Sequence, residues 1–337
     1  MAAIADLPRD ERTARVVLSM IVEPDDSITG RLLARVGAVE TIRLIDGDGA
    51  VPGMNRVDAR MWRDHLTSTA GTDYLAARLK VAEQTGLDVL VPDDKDWPVS
   101  VNDLGDRAPY VLWTRSATSL LARPFTDRVT LTGARAATAY GEHISGSLSR
   151  DLAARRSVIV AGGAYGIEGA AHRAALAAGG ETIAVLAGGV DRPYPAGHRE
   201  LLDRVGDAGL LVSELPPGAT PTRQRFLARG RIMAALSGAS VVVEAGARSG
   251  SLNVAAETRR LGRGVGAVPG PITSVTSVGP HRLLQEGKAQ IVTDASDVAR
   301  LLGAGTSPSG AHMDHSVPAR EFSYRPTHGA EPPSRSI

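Results

Sequence analysis

Residues 226–252 read FLARGRIMAALSGASVVVEAGARSGSL, and this stretch decides the fold. Phe226, Ile232, Met233 and Leu236 recur at helical spacing, Val241 to Val243 form a short β-branched run, and Ser249-Gly250-Ser251 places small residues where a strand hands over to a second helix. In an open α/β sheet, strand carboxyl ends and helix amino ends share one side. Free backbone N–H groups and the positive end of the helix dipole converge there on anionic ligands. Arg229 and Arg231 add charge to that rim, so the stretch reads as a binding edge rather than as plain core.

Outward from it, the sequence from Arg128 onward repeats strand, glycine turn and helix, the pattern of a doubly wound parallel sheet in the α/β class. Strands are predicted at 129–132, 158–161, 182–186, 209–212, 241–244, 264–268 and 289–292. Helices are predicted at 140–155, 167–178, 198–205, 226–236 and 252–261. Several strands are unbroken apolar runs, as expected where helices cover both faces. Upstream, residues 10–61 read as short helices separated by glycine-bearing breaks. Their segment RLLARVGAVETIRLI (31–45) fits both a helix-hairpin-helix, whose turn amides meet a DNA phosphate, and a plain antiparallel helix pair. The expected organisation is a small helical domain (1–65), a linking region with short strands at 87–91 and 110–113 (66–127), the sheet domain (128–303) and a disordered tail (304–337). The tail is too rich in Pro, Ser and Gly to bury a core.

Composition narrows the function. There is no cysteine, so no disulfide framework or thiolate metal site is expected, and the tail histidines His312, His315 and His328 have no scaffold for a metal. No metal and no cofactor is expected. Without a charged-plus-apolar leader or an apolar run near the ~20 residues of a membrane span, the expectation is a cytoplasmic protein with no membrane association. The net charge is +1 and only Lys80, Lys95 and Lys288 are lysines, so nucleic-acid binding would depend on locally placed arginines.

Four predicted strand ends carry Gly, Ser or Pro loops: LTGAR (131–135), AGGAYGIE (161–168), LAGGVDRPYP (186–195) and VSELPPG (212–218). Gly133 permits a tight turn, and Arg135 can project over the sheet edge toward a phosphate. Gly162, Gly163 and Gly166 are dense enough for a dinucleotide fingerprint, but their spacing differs and no acidic residue ends the next strand, which demotes a nicotinamide cofactor. Catalytic candidates are thin. His172 follows Glu168 by one helical turn and reads as a packing histidine. Ser249 and Ser251 lack a Gly-x-Ser-x-Gly elbow, and no Gly-Lys-Ser/Thr loop occurs.

In order, these motifs resemble the DNA-processing protein A (DprA/Smf) family over residues 129–302. Gly133-Ala134-Arg135 matches its Gly-x-Arg, AGGAYGIEGAAH (161–172) its Ser-Gly-x-Ala-x-Gly-Ile-Asp-x-x-Ala-His, and AVLAGGVDRPYP (184–195) its Gly-x-Gly-x-Asp-x-x-Tyr-Pro stretch. SELPPG (213–218), FLARGRIMAALS (226–237), VVEAGARSGSL (242–252) and AVPG (267–270) complete the set. The resemblance implies an extended Rossmann-like fold behind a SAM- or helix-hairpin-helix-like helical domain. It also implies a homodimer that binds single-stranded DNA, protects it and loads the RecA recombinase in natural transformation, without catalysis. Carried over, Arg135, Arg229 and Arg231 would meet phosphates, and Gly162, Gly163 and Gly166 would let the strand approach. Phe226 would stack a base or pack the helix, and Ser249, Gly250 and Ser251 would offer small side chains and helix amides. Three positions depart. Tyr165 stands where many members are basic and turns a phosphate contact into a stacking or hydroxyl contact, Glu168 replaces Asp, and Gly230 replaces an Asn; together they predict a weaker hold on DNA. The tail lacks the family's winged-helix pattern. A rival resemblance, to nucleoside-monophosphate phosphoribohydrolases with Pro-Gly-Gly-x-Gly-Thr-x-x-Glu, rests on GARSGSLNVAAE (246–257). It lacks Pro-Gly-Gly and places Glu257 at the wrong spacing.

Overall fold

A computed structural model describes residues 4–8, 10–67, 72–84 and 86–304; the expected tail lies outside these residues. The apolar runs become one nine-stranded sheet. In chain order the elements are α1 (Glu11–Ile21), α2 (Ser27–Asp46), α3 (Arg56–Thr67), α4 (Thr72–Gln84), β1 (Asp88–Leu90), β2 (Leu112–Ser116), α5 (Ser119–Ala122) and β3 (Arg128–Thr132). Then come α6 (Ala139–Ala154), β4 (Val158–Gly162), α7 (Ile167–Ala177), β5 (Thr182–Val185), α8 (Arg199–Ala208), β6 (Leu210–Ser213), α9 (Arg223–Leu236) and β7 (Ala239–Val242). The last are α10 (Ser251–Arg260), β8 (Gly264–Ala267), α11 (Val278–Gln285), β9 (Gln290–Ile291) and α12 (Ala295–Ala304).

The strand order is β1-β2-β6-β5-β4-β3-β7-β8-β9. From β6 to β9 every pairing is parallel. Alternate side chains of β4 explain why the run is unbroken: Val158 and Val160 pack with Ile232, Met233 and Leu236 of α9, whereas Ile159 packs with Leu148, Leu152 and Ile167 on the other face. Both faces are therefore dry. The first two residues of β7 are Ala239 and Ser240, so the strand starts two residues before the valine run that predicted it. The Ser240 hydroxyl is buried against Thr258 Oγ1 at 2.7 Å, which removes the cost of a polar group in the core.

The segment expected as a link contributes two strands. β1 pairs antiparallel with β2, and β2 antiparallel with β6, Trp113 standing opposite Ser213. Trp113 is buried with Val190, Leu202 and Val205. The helical region has its own core of Val17, Leu18, Leu32, Ile42, Ile45, Trp62 and Leu66. Gly37, at φ 81°, breaks α2 in two. The amides after that break, Ala38 and Val39, donate to the Glu11 carboxylate at 2.8–3.3 Å. Of the two forms the segment fitted, the structure thus shows a helix pair whose turn is capped internally, leaving those amides nothing to offer a phosphate. Among the described residues no helix is long and apolar enough to cross a membrane, and no group of three or more His, Asp or Glu side chains is arranged to hold a metal.

Candidate nucleic-acid interface

Strand order reverses at β3: β4, β5 and β6 follow on one side, β7, β8 and β9 on the other. Loops leaving β3 and β7 turn apart at such a point and open a crevice. A cavity of about 740 Å³ lies there, walled by the loop after β3, the start of α7, and the amino ends of α9 and α10. Four arginines (Arg135, Arg223, Arg229 and Arg248) and one carboxylate, Glu168, line it.

The α9 wall follows from helical period. Thr222 caps the helix, its Oγ1 accepting from Arg225 N at 3.2 Å. Positions 223, 226, 229 and 230 then fall on one stripe, and all four line the cavity. Phe226 is the centre of a cationic cluster. The Arg135 guanidinium lies 4.5 Å from its ring centroid, the Arg229 guanidinium 5.3 Å, and the Tyr194 ring 6.0 Å in an edge arrangement. Arg229, 9% exposed, forms the floor. Its Nη2 donates to both Glu168 oxygens at 3.2 and 3.3 Å, and Glu168 also accepts from Thr132 Oγ1 at 3.0 Å and Ala164 N at 3.1 Å. Arg229 Nε is buried without a partner.

Arg231 does not join this cluster, contrary to the sequence expectation. Two residues along a helix turn the side chain through ~200°. The structure places Arg231 on the far side of α9, 1% exposed, with Nη1 and Nη2 donating to Glu214 at 2.6 and 2.7 Å and Nε 3.2 Å from Asp25. The glycines make room for the protein's own parts. A Cβ on Gly162 would lie 2.2 Å from Arg229 Nη1, one on Gly133 would lie 2.7 Å from Glu244 O, and one on Gly163 would lie 2.8 Å from Tyr194 O. Gly166 has φ +71° and sits under Ala134 O. Each lets the protein's own loops and Arg229 close up.

The remaining sites are mixed. Ser249, Gly250 and Ser251 do line the cavity, with the two hydroxyls 2.8 Å apart. The following amides, Leu252 and Asn253, are engaged by Ser249 O and Gly250 O. Beside Gly230, where the resemblance expects an Asn side chain, the Asn253 amide lies 3.5 Å from a notional Cβ. Tyr165 is half-exposed next to the cavity and packs edge-on against His198. Arg223, Arg248 and Tyr194 were missed; for Arg223 the i, i+3 spacing to Phe226 was the available signal.

His172 and Glu257 stand outside the cavity. His172 is fully buried, and its Nε2 faces Gly162 O at 3.1 Å while Nδ1 faces Thr182 Oγ1 at 2.7 Å. A carbonyl only accepts, so Nε2 carries the proton, and burial pushes the group down to about 4. Glu257 is outside the cavity, bonded to Arg107 and Arg260. Burial raises its pKa, but those arginines outweigh burial and hold it below the usual carboxylate value.

The family model described as DNA recombination-mediator protein A matches residues 88–303. A putative DNA processing protein DprA of Mycobacterium tuberculosis is 43% identical over 317 residues, covering 88% of this chain and 78% of that protein. The DNA processing protein DprA of Streptococcus pneumoniae is 40% identical over 209 residues, 61% of this chain and 71% of that one. Its solved structure superposes with a TM-score of 0.67 at 30% identity, over 85% of this chain and 95% of that chain. The Helicobacter pylori DNA processing protein A, solved for its single-stranded DNA binding mode, gives 0.58 at 28% identity over 64% and 95%. The match to the family model and the long alignment to the mycobacterial protein place this chain in the DNA recombination-mediator protein A family.

Proposed function

We propose that this chain binds single-stranded DNA in the cavity at the strand-order reversal, as a homodimer in the cytoplasm, and delivers the strand to RecA during recombination of incoming DNA. The observation that carries the reading is the arginine-lined cavity around Phe226. Three of its four arginines, Arg135, Arg223 and Arg248, are exposed, and only Arg229 has a carboxylate partner there. Guanidinium groups at the mouth suit phosphates, and an aromatic ring among them suits an unpaired base. Family membership and the single-stranded DNA binding mode of the Helicobacter pylori protein support the choice of ligand. Delivery to RecA and the dimer rest on the family resemblance.

Fluorescence anisotropy of a labelled oligo-dT, with duplex DNA as competitor and at several salt concentrations, tests the reading. Binding should prefer the single strand and weaken steeply with salt, losing a slope of roughly 0.7 in log K against log salt for each phosphate contact removed. The double variant Arg135→Ala/Arg223→Ala should bind at least tenfold more weakly. Salt-independent binding, or an unaffected variant, removes the cavity from the function. A RecA strand-exchange assay with and without the protein tests delivery separately.

A further inference from the structure

We propose that Tyr194 and Tyr165 form a second subsite on the lip of the cavity, where an unpaired base leaving the arginine cluster stacks. The inference rests on the single-stranded DNA reading above and extends it to residues outside the phosphate-binding set.

Tyrosines are scarce, six in the chain, yet two stand half-exposed on the loops flanking one cavity: Tyr194 at 50% and Tyr165 at 46%. Neither is loosely held. Tyr194 meets the Phe226 ring at 6.0 Å and 63°, and its carbonyl is packed against Gly163. Tyr165 meets the His198 ring at 4.5 Å and 66°, and its phenol oxygen lies over Gly197, 2.4 Å from where a Cβ would stand. His198 is itself pinned, its Nδ1 3.1 Å from Gly163 O. Gly163 therefore touches the supports of both rings, and the two loops form one body with an aromatic group on each side.

The chemistry separates along this body. On the cavity side Phe226 is surrounded by Arg135 and Arg229, which favours a phosphate with its base. On the outer side the rings are uncharged and have apolar surface to offer. Nucleobases are the flat, partly apolar ligands that match such rings without sequence preference. A strand seated in the cavity and running past Tyr194 would meet Tyr165 next.

The experiment compares oligo-dT with an oligonucleotide of equal length made of abasic residues, which keeps every phosphate and removes the bases. Variants are Tyr194→Leu and Tyr165→Leu, which retain apolar bulk, and Tyr165→Phe, which retains the ring. Each Leu variant is expected to lower the ratio of dT to abasic affinity roughly tenfold with the salt slope unchanged, and Tyr165→Phe to keep the wild-type ratio. Unchanged ratios in both Leu variants, or equal losses on both oligonucleotides, overturn the stacking subsite while leaving the arginine cavity standing. Wild-type protein that binds neither oligonucleotide overturns the DNA reading and the subsite with it. Thermal melts of the three variants distinguish lost stacking from lost fold.

Discussion

Glu168 and Arg229 show how much of this site is internal construction. Their pair is buried under the cavity, and Gly162 exists in the form it does because the Arg229 guanidinium occupies the space of its side chain. Gly162→Ala should therefore push the guanidinium off Glu168 and reduce DNA affinity at least severalfold. Gly166→Ala acts by another route. Its Cβ would lie 2.3 Å from Ala134 O and 2.5 Å from Arg135 O, on a backbone already at φ +71°. Backbone atoms cannot swing away, so the expected loss is about 1–3 kcal/mol of folding stability. Urea titration of both variants, with anisotropy on the same samples, checks the contrast: Gly162→Ala should lower binding and stability together, because the pair it disturbs is both buried and the floor of the cavity, whereas Gly166→Ala should act chiefly on stability. The glycines were visible in the sequence as turn residues. What fills the space beside them was not, because that depends on loops brought together from 30 or more residues away.

At the level of the helix, α9 has two faces with different duties, and the arginines sort accordingly. Arg223→Ala should leave the melting temperature unchanged and lower the salt slope by roughly 0.7. Arg231→Ala should leave the buried Glu214 carboxylate without its cation, Asp25 keeping Arg107, and cost on the order of 3–5 kcal/mol. Differential scanning calorimetry beside anisotropy separates the two; a stable Arg231→Ala protein with a reduced salt slope would return that arginine to the DNA face. The helix itself was legible from its apolar spacing, and so was the existence of β7 and α10 around it. Its polar face sorts by the 100° turn per residue, which carries Arg231 away from the crevice and sets Arg223 beside Phe226, and apolar spacing alone does not show this. The Gly37 turn has a similar lesson. The sequence fits an open turn and a plain helix pair alike, because nothing local to it shows that Glu11, 26 residues earlier, caps its amides. Glu11→Ala should cost about 1 kcal/mol or more, measurable by urea unfolding.

The whole molecule carries one titration that follows from the dryness of its core. His172 is held down to about 4, first by burial, with the neighbouring Glu168 opposing. Its folded value is below its unfolded value of 6.5, so between those limits the unfolded chain binds a proton that the folded chain does not. Stability is complete above about pH 6.5 and falls as pH drops through the window, by on the order of 3 kcal/mol. Melting temperature against pH should show this, with a shallower slope between pH 4 and 6.5 in His172→Asn. The parallel part of the sheet was readable because its strands from β3 to β8 are mostly apolar runs, each followed by a turn and a helix, whereas β9 is only the exposed pair Gln290–Ile291. The two strands of the antiparallel edge were readable as well, at 87–91 and 110–113, but their antiparallel pairing was not, since β2 joins β6 across nearly a hundred residues and no local pattern records it.

Asp25 touches Arg107 at 2.5 Å and Arg231 at 3.2 Å, and Arg107 reaches on to Glu257 of α10 at 3.0 Å. The amino-terminal helices are thereby fastened to the backs of the two helices whose front ends make the cavity. Thermodynamic linkage then runs both ways. A strand that steadies the fronts of α9 and α10 must also steady the helices behind them, and amide hydrogen exchange in α1 and α2 should slow on adding oligo-dT, although the strand touches neither.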